Sequence, residues 1–134
     1  IFLLIIIVCI GTDIGGYVFG KLLKGPKLTK ISPNKTYSGM FGSFMLSIVF
    51  AYIYFKNSSF FSFLVVDKIE LQTIYIVIFI SIISQIGDII ISFFKRKSKL
   101  KNTGKIIPGH GGLLDRIDGM IFAFPFTFIL FKII

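Results

Sequence analysis

Of the six acidic residues in this chain, Asp13 and Asp88 fall inside long apolar runs, and Asp115 and Asp118 open another. An ionised carboxylate in such surroundings is costly unless it is paired, hydrated or bound to a cation. These four are therefore read as functional candidates, whereas Asp67 and Glu70 lie in a polar connection and need no special account. Asp115 and Asp118 are three residues apart and share a helical face, which suits the holding of hard cations through oxygen. With Arg116 beside them, a capping and salt-bridge cluster is the other reading. Mg2+ takes a few carboxylates together with substrate phosphates and water, so a site shared by Asp88, Asp115 and Asp118 is chemically reasonable for a nucleoside triphosphate.

Asp88 is accompanied by Ser81, Ser84, Gln85, Ser92 and Lys95. Spacings of three, four and seven place most of these on one helical stripe, which points to a polar cavity. Around Asp13 stand Gly11, Gly15, Gly16, Tyr17 and Gly20, a face that another backbone or a ligand can approach closely. Plain small-residue helix packing explains the glycines about as well, but leaves the carboxylate unexplained.

The tract Pro108-Gly109-His110-Gly111-Gly112 precedes the last two carboxylates. Its glycines permit unusual dihedrals and can present consecutive N–H groups to an anion; a plain flexible loop is the alternative. His110, the only histidine, is either a phosphate donor or a turn residue. Gly20-Lys21 and Gly104-Lys105 are each followed by an aliphatic residue, so neither makes a P-loop. A zinc-protease motif and a nucleophile elbow are absent, and one histidine alone supports no Ser-His-Asp argument. What remains is phosphoryl-type chemistry in a membrane.

The elements that must position these groups are apolar helices. Hydrophobic residues make up 54% of the chain, with seventeen phenylalanines, and the mean hydropathy is +0.89. Both lie outside the ordinary globular range. A crossing of roughly 30 Å of hydrocarbon needs about 20 mainly apolar residues. By that test residues 1–23, 38–55, 73–94 and 119–134 pass or nearly pass. The reading is an all-α, polytopic transmembrane helix bundle of about four spanning helices. The second segment is short and carries Gly39 and Gly42; the fourth contains Pro125, which should kink it. The first is read as a spanning helix and not a signal peptide, because Asp13 and a glycine cluster follow its apolar run. Because the chain begins inside an apolar run, it is expected to be the C-terminal catalytic region of a longer membrane protein.

The formal charge of +9 is concentrated between apolar segments. Lys21, Lys24, Lys27, Lys30 and Lys35 cluster around the first connection. Lys95, Arg96, Lys97, Lys99, Lys101, Lys105 and Arg116 mark the third. Only Lys56 and Lys68 mark the second. Positive loops stay inside, so the first and third connections are expected to be cytoplasmic. Anionic headgroups and phosphate substrates, not nucleic acid, are the expected partners of this charge. Cys9, the only cysteine, excludes an intramolecular disulfide and is read as a lipid-side or packing residue.

From Ser92 to Asp118 the chain reads SFFKRKSKLKNTGKIIPGHGGLLDRID. This resembles the signature of the phosphatidate cytidylyltransferase family: S-x-x-K-R, a Lys-Asp pair, then P-G-H-G-G-x-x-D-R-x-D. Asn102 stands where the family has the Asp of that pair. Asp13-Ile14-Gly15-Gly16-Tyr17 is similar to the family's D-x-x-A-Y helix, and Ile31-Ser32-Pro33-Asn34-Lys35-Thr36 to its S-P-x-K-T loop.

The resemblance implies metal-dependent attack of the phosphatidate phosphate on the α-phosphorus of CTP, in a bacterial cytoplasmic membrane. It implies Mg2+, with room for a second cation, on Asp88, Asp115 and Asp118. Lys95, Arg96 and Arg116 would hold phosphates. Ser32, Lys35, Thr36, Gly109, His110, Gly111, Gly112 and Asp13 would serve substrate binding. CTP, phosphatidate and membrane lipids are the expected partners, with a homodimer as an assembly. CTP-dependent transfer to another membrane lipid is the rival enzyme reading, and a cation transporter module the rival from another class.

Overall fold

The structure, a computed structural model, describes residues 2–29, 35–57, 71–98 and 114–133. Four helices follow in order: α1 (Phe2–Leu23), α2 (Tyr37–Asn57), α3 (Leu71–Lys97) and α4 (Leu114–Ile133). No strand occurs among the described residues beyond an isolated antiparallel bridge, Lys27 to Thr36. The all-α bundle expected from the sequence is what forms.

Length and composition let α1, α2 and α3 each cross a membrane, while the apolar part of α4 is the shorter Ile117–Leu130. With long apolar helices as its body, the chain is an integral membrane protein. Two boundaries differ from the hydropathy reading. Helix α3 runs on to Lys97, because Lys and Arg are good helix formers whose stems can lie along apolar surface while their charges reach outward. Helix α4 starts at Leu114, so Asp115 and Asp118 lie within its first turns, and it continues through Pro125.

The described ends of the connection from α1 to α2, residues 24–29 and 35–36, lie against each other. Helix α1 ends at Lys24, whose φ of 44° lies in the left-handed region, and Pro26 follows, which cannot continue a helix. The described ends are held together by hydrogen bonds from Leu28 N to Lys35 O (2.7 Å) and from Tyr37 N to Pro26 O (3.1 Å). Thr36 then caps α2, its Oγ1 accepting from Gly39 N at 3.1 Å. Lys35 is thereby fixed one residue before a capped helix.

Helices α1 and α2 make the most extensive contact in the bundle. It is a backbone contact: a Cβ on Gly15 would lie 2.4 Å from Gly42 O, and one on Gly42 would lie 2.3 Å from the Phe19 ring. Ser43 Oγ donates to Thr12 O at 2.7 Å across the same seam. In lipid such close packing and interhelical hydrogen bonds are what associate helices, since apolar burial drives little there. Of the two approaches open to the Asp13 glycine face, another backbone is therefore the one Gly15 receives.

The core gathers Leu4, Ile5, Val8 and Cys9 of α1, Ala51 of α2, Val77 and Ile80 of α3 and Ala123 of α4. Cys9 is buried as a packing residue. Large apolar side chains such as Phe41, Tyr52, Tyr75 and Phe128 point outward, as a surface solvated by lipid requires.

Candidate functional site

The α3 stripe behaves as its spacing predicts. Ser81 and Ser84 are buried, and Gln85 and Asp88, one turn on, are half-buried. Gln85 and Asp88 face a cavity of about 190 Å³. Its opposite wall comes from α1 through Thr12, Asp13, Gly16 and Tyr17, and it is closed by Leu28, Lys35 and Ser43. The glycine at 16 leaves room on the α1 wall, so Asp13 borders the same space as Asp88.

Thr12 Oγ1 lies 2.8 Å from Val8 O and 2.8 Å from Ser81 Oγ, and Gln85 Nε2 approaches Ser81 Oγ at 3.5 Å. This hydroxyl seam joins the two walls beside the cavity. At the rim the Lys21 ammonium stands 5.6 Å from the centroid of the Tyr17 ring.

Two ion pairs dominate the electrostatics. Lys35 Nζ donates to Asp88 Oδ2 at 3.1 Å, with both side chains 26% exposed, and reaches Gln85 O at 3.5 Å. Lys95 of α3 donates to Asp118 Oδ2 of α4, with side-chain exposures of 13% and 7%. Asp88 and Asp118 thus each gain a cation, which is how an intramembrane charge is tolerated.

Helix α4 meets Asp88 at Gly119, the residue after Asp118. A Cβ on Gly119 would lie 3.0 Å from Asp88 Oδ1 and closer still to Ser84. Helix α4 therefore packs its backbone at Gly119 against Ser84 and Asp88.

Other expected site residues fall as follows. The Thr36 hydroxyl is engaged in the cap and lies 3.0 Å from Ser38 Oγ. Arg96 is exposed at the end of α3. Asp115 and Arg116 belong to the first turn of α4, with side chains outside the described residues. Ser32, Gly109, His110, Gly111 and Gly112 also lie outside them. Sequence reasoning missed Thr12, Ser43 and Gly119 as site residues. Thr12 and Ser43 sit among the small residues of the α1–α2 seam, which was the available signal; Gly119 carried none.

Among the described residues no group of three or more His, Cys, Asp or Glu side chains could hold a metal ion. The donor chemistry nevertheless fits a hard cation. Asp88 and Asp118 offer only oxygen, and a Mg2+ ion needs few protein carboxylates when phosphates and water complete its shell.

Long apolar helices carrying paired lysines and carboxylates define an integral membrane protein with a polar site. Comparison with known proteins specifies the family. The chain belongs to the cytidylyltransferase family, whose model matches residues 1–134. Among its relatives is a phosphatidate cytidylyltransferase of Bacillus subtilis (strain 168), 40% identical over 123 residues, covering 89% of this chain and 42% of the relative. A phosphatidate cytidylyltransferase of Staphylococcus haemolyticus (strain JCSC1435) is 39% identical over 121 residues, covering 89% and 44%. That of Staphylococcus aureus (strain COL) is 37% identical over 122 residues, with the same coverage. The chain thus spans somewhat less than half the length of the relatives it matches.

Proposed function

We propose that this chain carries the catalytic region of a phosphatidate cytidylyltransferase, which converts CTP and phosphatidate to CDP-diacylglycerol and pyrophosphate. The observation that carries the reading is the Lys35–Asp88 pair on a polar cavity, with a second, more buried pair, Lys95–Asp118, between α3 and α4, in a chain whose relatives bear that name. An oxygen of the phosphatidate phosphate attacks the α-phosphorus of CTP. A bond forms between them, the bond from the α-phosphorus to the oxygen bridging to the β-phosphorus breaks, and pyrophosphate leaves with that oxygen. No covalent enzyme intermediate is needed.

The side chains supply position and charge, which carry most of the acceleration in reactions at phosphorus. Lys35 and Lys95 are cations already held at the site; incoming phosphates compete with Asp88 and Asp118 for them. Arg96 and Arg116 add positive charge at the ends of α3 and α4. Asp88 and Asp118, with Asp115 one turn earlier, would hold Mg2+, which supplies charge neutralisation on the phosphates. Asp13, Ser32, Thr36 and the tract Gly109-His110-Gly111-Gly112 are assigned to substrate binding. The first and third connections are assigned to the cytoplasmic face of a bacterial inner membrane, where CTP is available. Their lysines and arginines support that orientation.

The test uses the full-length protein in lipid vesicles with radiolabelled CTP, phosphatidate and Mg2+, beside an Asp115→Ala protein and a metal-free sample. Labelled CDP-diacylglycerol and pyrophosphate should form only in the wild-type sample with metal. Absence of labelled lipid from a folded wild-type preparation would refute the proposal.

A further inference from the structure

Gly119 is buried where α4 crosses α3. A Cβ at this position would lie 2.3 Å from Ser84 Oγ, 2.9 Å from Ser84 O and 3.0 Å from Asp88 Oδ1. The first two distances are shorter than packed atoms tolerate. Ser84 Oγ has little room to yield: Ser84 is 1% exposed, and the Cys9 thiol lies beside it. Ser84 O belongs to the α3 backbone and moves only with the helix. A side chain at 119 must therefore press on Ser84 and on the Asp88 carboxylate and turn that carboxylate away.

We infer that Gly119 is a positioning residue: its bare α-carbon lets α4 pack against Ser84 without turning the Asp88 carboxylate, and so sets how that carboxylate is presented to a cation. The inference rests on the oxygen-ligated cation site of the proposed function. Gly87 provides the internal comparison. It too is buried at the α3–α4 contact, and a Cβ there would lie 2.9 Å from Phe122 Cδ2 and 3.0 Å from Phe122 Cβ. That contact strains the same helix pair against an aromatic side chain of α4. The two glycines thus separate a packing role from a positioning one.

The experiment titrates Mn2+ into full-length wild-type, Gly119→Ala and Gly87→Ala proteins in detergent. Bound metal is read by electron paramagnetic resonance, and melting temperature and CTP turnover are followed alongside. Outer-shell changes weaken metal sites by about 10–100-fold, so Gly119→Ala should raise the Mn2+ dissociation constant by at least about tenfold. Gly87→Ala should leave it within about twofold even where its melting temperature falls as far. Wild-type Mn2+ affinity in Gly119→Ala, or equal weakening in Gly87→Ala, overturns the inference. If Gly119→Ala does not fold, Ser84→Gly/Gly119→Ala removes the nearest contact and keeps the other two. Weakened Mn2+ binding is again expected, and wild-type affinity overturns the inference there too. Wild-type protein that binds no Mn2+ overturns both the inference and the metal assignment. Mn2+ binding that depends on Gly119 in a protein making no CDP-diacylglycerol supports the inference and counts against the proposed reaction alone.

Discussion

Lys95 of α3 and Asp118 of α4 form the more buried of the two ion pairs at the site, with side-chain exposures of 13% and 7% against 26% for each member of the Lys35–Asp88 pair. The difference separates what each pair does. A pair withdrawn from solvent leaves a buried, uncompensated charge when one partner is lost, whereas a partly hydrated pair does not.

Lys95→Ala should accordingly destabilise the protein by about 3 kcal/mol. Lys95→Ala/Asp118→Ala should recover much of that loss without recovering activity. Thermal unfolding in detergent checks the first statement and CTP turnover the second. A double variant no more stable than Lys95→Ala would contradict the account.

Asp88→Asn should behave differently. Its effect on stability should stay within about 1 kcal/mol, while turnover should fall by about 100-fold or more from loss of an electrostatic group at the reacting phosphates. Normal Mg2+-dependent turnover in a folded Asp88→Asn protein would remove Asp88 from the metal site.

The α1–α2 seam predicts graded costs for adding one methyl group. Gly15→Ala meets the Gly42 backbone at 2.4 Å, whereas Gly16→Ala meets only the end of the Ser43 side chain at 2.9 Å. Gly15→Ala should cost about 1–3 kcal/mol through overpacking, and Gly16→Ala clearly less. Melting temperatures of the two proteins in one detergent give the comparison, and equal losses would count against a backbone-to-backbone seam.

Thr12→Val keeps the side-chain volume but removes the hydroxyl that lies 2.8 Å from Ser81 Oγ. A loss of about 1 kcal/mol is expected. Turnover should fall less than about threefold if the seam serves mainly to join the two cavity walls. A collapse of turnover with unchanged stability would instead give Thr12 a direct place in the reaction.

The readable parts of the site were those carried by a single helix. Ser81, Ser84, Gln85 and Asp88 recur at helical spacing, so one face of α3 announced the cavity before any partner was known. Lys35 illustrates the opposite case. Its charge and loop were evident, but its contact with Asp88, 53 residues away, depends on how the α1–α2 connection folds back over α3. Gly119 was silent because a glycine near the start of a helix has no polarity or period to mark it, and its meaning arises only where α4 docks. The beginning of α4 was hidden for a related reason. Asp115, Arg116 and Asp118 depress hydropathy, so a window built for lipid-facing residues starts the segment after the charges that the helix contains.

The glycine seam also bears on how the site responds to its bilayer. With Gly15 seated against the Gly42 carbonyl, α1 and α2 meet backbone to backbone there and act as one strut. Thr12, Asp13 and Lys35 are carried on that strut. A thinner or thicker bilayer is met by tilt, and the strut tilts as a unit. The distance that changes is then the gap across to Asp88 on α3, which contacts the strut far less extensively. Membrane thickness would therefore be felt at the mouth of the cavity as a change in reach between Lys35 and Asp88.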